Sequence, residues 1–308
     1  MNRVSTLGNY QSALLDLFAA QQRQQDATKR LSTEKIATDL VGFGRGSETI
    51  TALKGAENRV KGFLDVGEAT LARLDAQDLA MVRANDAIGT ARSAIGEAIA
   101  AESAGTLMLE LENAFQSIRG GLNAQHQGVH VFAGGNSDIP PVSATSLTEL
   151  AAAPDAASVF TNGDLRQSAR VAETTTLRTG FLANELGTET LDILRDLKVY
   201  FDANPVPVNG KIDAAQKAFL STQLDRLGTA SSTLVEDVAR NGALYQQVER
   251  LNESNDAQAL SLKTLVGKRT DADLAQAATD IQLSTIALQA SAQVISQLRE
   301  TSLLNFLR

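Results

Sequence analysis

Apolar residues recur at helical spacing along most of this 308-residue chain, and the pattern breaks in only a few places. Tyr10, Leu14 and Leu17 begin a seam that turns polar at Gln21 and Gln24 and recovers at Leu31, which predicts a first helix over residues 5–35 that stops before the glycines of VGFGRG. A second helical region starts at Ser47 and carries Leu53, Val60, Phe63/Leu64, Leu71, Leu74, Leu79, Val82, Ile88, Ile95 and Ile99 on its apolar faces. Gly105 marks a break, and Leu107, Leu111, Phe115, Ile118 and Leu122 predict a third helix. From Gly128 the period changes: GVHVFAGGNSDIPPV alternates briefly and then enters Gly, Asn, Asp and Pro, as a short strand followed by a turn does. Asn162-Gly163, followed by a β-branched run, is a strong hairpin signal and predicts a small β-rich insert. Helix resumes near Thr188 and stops at Asn204-Pro205, and a long helix is expected over 213–261. The last helix should begin after Thr270-Asp271, where Thr270 followed by Asp273 approximates a capping box.

The last helix is unusual. Residues 274–298 contain one charge, Asp280, and no Gly or Pro, although 21% of the chain is charged. Leu274, Ala278, Ile281, Thr285, Leu288, Ala292 and Ile295 stand at alternating spacings of four and three, an a/d seam whose flanks are small or neutral. Small residues let helices approach closely, and uncharged amides can be enclosed without the cost of burying an ion. Such a helix is expected to be surrounded by other helices, including those of other copies of the chain. Leu14, Leu17 and Leu31 with Leu274, Ala278, Ile281, Leu288, Ala292 and Ile295 are therefore the candidate assembly seam.

All five prolines lie between residues 140 and 207, leaving both flanks free of the strongest helix breaker. The expected organisation is a helical arm at 1–133, a small outward-facing β-rich insert at 134–186 and a second helical arm at 187–308. The fold class is mainly α, a long helical bundle or coiled coil built from the two arms.

Composition narrows the function. Hydrophobic residues make up 43% but aromatics only 4%, so packing rests on Ala, Leu, Ile and Val. A net charge of -8 argues against nucleic acid and against anionic membrane surfaces as partners. The absence of cysteine excludes disulfides and thiolate sites. Asp16 interrupts the apolar patch near the start, so no cleaved signal is expected, and no window reaches the length of a membrane span. His126 and His130 stand four apart, but Gly128 lies between them, Gln127 replaces the acid of a zinc protease motif, and no third ligand is in view, which favours an ordinary polar role. Gly42, Gly44 and Gly46 have neither a preceding strand nor a following Lys-Ser/Thr and read as a break between helices, not a phosphate loop. The carboxylates are scattered as solvated faces are. No catalytic residue, metal site or cofactor is expected.

The segment DADLAQAATDIQLSTIALQASAQVISQLRETSLLNFL closely resembles the C-terminal helix of the flagellin and hook-associated protein group of bacterial flagella. Arg3-Val4-Ser5-Thr6 is similar to the Arg-Ile-Ser-Thr opening of the hook–filament junction members, and Arg30-Leu31-Ser32-Thr33 stands where the group has an Arg-Leu-Ser-Ser turn. HVFAGGNSDIPPV, from His130, more weakly resembles the junction members' aromatic-Ser-Gly segment and proline-containing loop. The resemblance covers residues 3–135 and 187–307. After Ile36 the chain departs from flagellin, with Thr38-Asp39-Leu40-Val41-Gly42 in place of Asp-Asp-Ala-Ala-Gly. The resemblance implies a structural, non-enzymatic subunit joining hook to filament, with flagellin, the filament subunit itself, as the alternative. It also implies a secreted, extracellular location in the flagellum after export through the flagellar channel. The implied partners are other copies of the chain, a neighbouring hook-associated protein, flagellin, and an export chaperone at the C-terminal region.

Overall fold

The structure, a computed structural model, describes residues 2–206 and 210–304. It contains α1 (Asn2–Thr33), α2 (Ser47–Ala101), α3 (Leu107–Leu122), α4 (Leu147–Ala152), α5 (Ala183–Ala203), α6 (Ala214–Thr270) and α7 (Leu274–Leu304). Two antiparallel hairpins complete it: β1 (Gln125–His126) with β2 (Val129–His130), and β3 (Ser168–Arg170) with β4 (Thr176–Arg178). The architecture is the expected one, mainly α with a small β-containing insert. Its contacts form two compact units, residues 1–59 with 258–308, and residues 60–257.

The core of the 60–257 unit forms where α2 presents Ala80, Met81, Ala84, Ala87, Ile88, Ala91 and Ile95 at helical spacing to α3, α5 and α6. Phe115 and Ile118 of α3, Leu191 and Leu194 of α5, and Leu220, Leu227 and Leu234 of α6 fill the space between. The alanines let α3 approach until a Cβ on Gly121 would sit 2.7 Å from the Ala80 carbonyl oxygen, so glycine is required there. α6 runs antiparallel to α2, with Ser231 donating to the Asn85 side chain (2.7 Å) and Asn241 donating to the Leu74 carbonyl (2.9 Å).

The insert belongs to this same core. Val131, Phe132, Val142, Leu147 and Leu150 are buried with α3 and α5. The short strand expected after Gly128 is β2, and its partner β1 precedes a two-residue turn in which Gln127 and Gly128 both have positive φ (52° and 82°). Asn123 clamps the following loop by donating to the Val142 carbonyl (3.0 Å) and accepting from the Val142 amide (2.7 Å).

Four local expectations are corrected. Asn162-Gly163 does not turn a hairpin: the Asn162 amide donates to Asn184 (3.0 Å), and Gly163 packs so tightly on Gly134 that a Cβ there would lie 2.2 Å from the Gly163 carbonyl oxygen. The hairpin is β3–β4, further along, because tertiary contact claims the Asn-Gly pair. α5 begins at Ala183, not near Thr188, since the Ala183 amide is satisfied by the Phe132 carbonyl (3.0 Å). α6 continues past 261 to Thr270, ending on Lys268 and Arg269, which suit the negative end of the helix dipole. The cap of α7 is Asp273 itself, whose carboxylate accepts from the Ala275 and Gln276 amides (3.0 Å each), while the Thr270 hydroxyl bonds to Asp271.

Arg226 of α6 fastens α5. Its guanidinium donates to Glu189 (2.9 Å), Asp192 (3.1 Å) and Asp196 (2.8 Å), one carboxylate from each successive turn. Burial pulls the Arg226 pKa down, but the bonds from Asp196, Asp192 and Glu189 outweigh it and hold it above the ordinary value. Replacing Arg226 with Gln leaves three carboxylates facing one another. The expected loss is about 1 kcal/mol of stability at low salt, narrowing in about 1 M salt, which screens charges this exposed. Urea titrations of both proteins at the two salt concentrations measure it, and an equal loss at both would refute the electrostatic account.

Candidate assembly surface

In the unit formed by residues 1–59 and 258–308, α1 and α7 lie side by side and antiparallel. Gln24 donates to Thr285 (3.2 Å), Arg30 pairs with Asp280 (3.7 Å) and Lys35 with Asp271 (2.5 Å). This register brings Ala27, Ala20 and Ala13 to the levels of Ile281, Leu288 and Ile295. The α1 side of the contact is a row of alanines seven residues apart, Ala13, Ala20 and Ala27, at 8%, 3% and 1% exposure, with half-buried Leu17 and Gln24 between them. The α7 side is a matching row of Ala277, Ser284 and Ser291, interleaved with half-buried Ile281, Leu288, Ile295 and Leu298. Both rows have the period of a coiled coil.

The buried stripe on α7 is therefore rotated from the one read in the sequence. Of the nine seam residues, Leu17, Ile281, Leu288 and Ile295 lie along the α1/α7 contact and Leu14 is half-buried, whereas Leu31, Leu274, Ala278 and Ala292 are open to solvent. The residues missed were the small ones. Their signal was present as alanine and serine at exact heptad intervals, but weighting positions by hydrophobicity favours leucine over alanine.

Placing the small residues inside leaves large ones outside. Leu15 and Phe18 of α1 and Leu283, Ile286 and Val294 of α7 are between 46% and 69% exposed. Asp280, the one charge in 274–298, is turned toward Arg30, so the outer surface of this stretch carries no charge. An apolar, uncharged exposed helix face is the mark of an interaction surface. The alanine contact returns little on its own: about 0.8 kcal/mol per buried methyl-sized group, against about 1–2 kcal/mol to order each residue's backbone.

The open end of the pair is closed by a clip between the two linkers. Ile36 donates its amide to the Thr270 carbonyl (2.8 Å) and Ala272 to the Glu34 carbonyl (2.9 Å), a two-bond antiparallel bridge made possible by Glu34 in the left-handed region (φ 58°). The Lys35 ammonium and the Thr270 hydroxyl hold the Asp271 carboxyl below its ordinary pKa. Beyond the clip, the turn over Val41–Gly46 exposes Leu40 and, at 88%, Val41. Gly44 bends that turn at φ 52° and ψ −128°, which a side chain would strain.

His130 is buried, with Nδ1 against the Asn123 carbonyl (2.8 Å) and Nε2 against the Gln125 amide (3.0 Å), so its ring serves the β1–β2 hairpin. Among the described residues no group of three or more His, Cys, Asp or Glu is placed to hold a metal, and no helix is long and apolar enough to cross a membrane.

No family profile and no curated protein matches the chain. Its fold, however, is similar to that of several solved structures. A protein described as a flagellar hook-associated protein from Vibrio parahaemolyticus aligns with a TM-score of 0.60 at 13% identity, over 76% of this chain and 99% of that one. FlgL from Xanthomonas campestris aligns with a TM-score of 0.56 at 12% identity, over 70% of this chain and 99% of that one. FlgL from Bacillus cereus aligns with a TM-score of 0.53 at 12% identity, over 70% and 97%. The shared property is the fold.

The clip generates a pH prediction. Asp271 has a depressed pKa, so its contribution is present above the ordinary carboxylate range and is lost as pH falls through the lowered value. Exchange of the Ile36 and Ala272 amides should accelerate below about pH 4, once corrected for intrinsic chemistry. In Asp271→Asn that corrected pH dependence should vanish, and its persistence would assign it to another group.

Proposed function

We propose that this chain is a structural, non-enzymatic subunit of the bacterial flagellum that joins hook to filament at the hook–filament junction. The observation that carries the reading is the fold shared with a hook-associated protein and two FlgL chains over 97–99% of their lengths. The α1/α7 pair, alanine-lined within and carrying large apolar side chains on its outside, supports it physically: such a pair gains its stability by docking on other subunits. The partners are further copies of the chain, a neighbouring hook-associated protein on one side and flagellin on the other, with an export chaperone holding the C-terminal region before assembly. The location is extracellular, on the flagellum, after export through the flagellar secretion channel. The seam of Leu14, Leu17, Leu31, Leu274, Ala278, Ile281, Leu288, Ala292 and Ile295 serves this assembly, with the four solvent-open members available to neighbouring copies.

Flagellin itself is the competing reading, favoured by the likeness of 271–307 to flagellin's last helix. The two differ in what assembles. A junction subunit makes unlike contacts above and below and stops, whereas a filament subunit repeats one self-complementary contact without limit. A strain lacking the gene should carry hooks without filaments and shed flagellin into the medium, as seen by electron microscopy of cells and analysis of the medium. Filaments growing in its absence, or purified protein seeding micrometre-long tubes of itself, would overturn the junction reading.

The outer face of α7 gives a second test. Ile286 is 62% exposed, so Ile286→Asp should change the stability of the free chain by no more than about 0.5 kcal/mol. Incorporation into flagella should nevertheless be lost, because assembly would bury an unpaired carboxylate. Normal incorporation of this variant would remove that face from the assembly surface.

A further inference from the structure

The apolar interior of the 60–257 unit narrows toward one end. The buried members of the large cluster described above end on α2 at Ala80 and Met81, and a second, far smaller cluster consists of Leu74, Val171 and Val248, with Leu71, Leu177, Tyr245 and Leu251 partly buried around it; partly buried Leu244 packs against both. Gln77 lies between them on the inward stripe of α2, fully buried, and Asn241 occupies the facing level of α6 at 1% exposure. Asn241 continues the heptad of Leu220, Leu227 and Leu234, so a polar residue stands where that row calls for leucine.

The protein's own groups satisfy this stretch poorly. Among the described residues, five buried side-chain nitrogen or oxygen atoms have no hydrogen-bond partner within the protein, and four belong to it: both amide atoms of Gln77 and the Asn241 Oδ1 in the layer, and the Asn252 Oδ1 further along α6. Toward the Val60/Ala257 end of the unit small and polar residues alternate with buried Val60 and half-buried Phe63 and Leu64. Asn252 fills the space left by Gly67, where a Cβ would lie 1.9 Å from its oxygen. Thr70 bonds back to the Val66 carbonyl (2.6 Å), and Asn255 reaches the Val171 carbonyl in the loop joining β3 to β4 (2.8 Å).

We propose that this stretch, residues 60–77 of α2 and 241–257 of α6 with the β3–β4 hairpin, is a compliant joint that opens as one cooperative unit while the large core stays closed. Two physical terms combine. The small cluster offers few apolar contacts to hold the helices together, and opening exposes to bulk water the amides that have no partner within the protein. The buried Gln77/Asn241 layer is the boundary at which opening stops. The inference concerns the fold of the single chain and stands without the assembly role.

Native-state hydrogen exchange on the full chain in dilute urea tests it. Amides of 64–74, 245–255 and 168–178 should exchange at least about tenfold faster than those of 84–98 and 220–234, and should share one urea dependence smaller than that of global unfolding. The double substitution Gln77→Leu/Asn241→Leu should slow exchange in the first set by about tenfold and leave the second unchanged. Equal rates in the two sets of the wild type, or exchange of the first set only through global unfolding, would overturn the joint; this comparison decides even when the variant does not fold. Unchanged exchange in a folded double variant would overturn the polar layer as its cause.

Discussion

Helices in this protein meet along rows of alanine and glycine, and most other features follow from that close approach. With 4% aromatics and no Trp, the chain lacks the side chains that usually fill wide gaps between helices. The alanines of α2 instead let α3 come near enough that Gly121 touches the Ala80 carbonyl, and Gly187 of α5 sits where a Cβ would lie 2.5 Å from Leu122. Phe115 and Phe132 are wholly enclosed within this framework, so the few rings present act as plugs. Close-packed interiors of this kind tolerate enlargement poorly, because there is no slack for an added methylene.

In the α1/α7 pair the same preference has the opposite consequence for function. Heptads of small residues bring the two backbones together but bury little apolar area, and the leucine, isoleucine and phenylalanine excluded from the contact are left on its outside. A pair built this way is weak alone and adhesive toward others. The single charge of 274–298 is paired with Arg30, so that stretch of α7 presents no unpaired ion for docking to desolvate, while α1 carries the exposed charges Asp16, Arg23, Asp26 and Lys29. The linker clip, with two backbone bonds and the Lys35–Asp271 pair, fixes where α1 ends relative to where α7 begins and so holds their small-residue rows in register.

The interior of the 60–257 unit shows how unevenly such packing distributes stability. Where alanine and leucine rows interlock, the core is continuous across α2, α3, α5 and α6; where Gln77, Asn241, Asn252 and Asn255 take the same positions, the helices remain paired but the apolar contact thins. Arg226 reinforces the first region with three carboxylates from α5. Pairing of helices and strength of pairing are thus set by different residues along one stripe.

Periodicity was enough to read the helical arms, the start of α2 at Ser47, the bounds of α3, the end of α5 and the low charge of the last helix, because these depend on local spacing and on breakers near in sequence. It was also enough to locate the irregular middle by its prolines. It did not reveal which face of α7 turns inward: with Asp280 its one charge over 274–298, hydrophobicity does not separate the faces, and the choice between the Leu274/Ala278/Ala292 row and the Ala277/Ser284/Ser291 row is made by how closely α1 can approach. Nor could it show that Asn162-Gly163 would be taken up by Asn184 and Gly134, or that the insert would complete the core of α3 and α5. Those outcomes rest on contacts between residues distant in the chain, which fix a backbone against its local preference once a neighbour offers a closer fit.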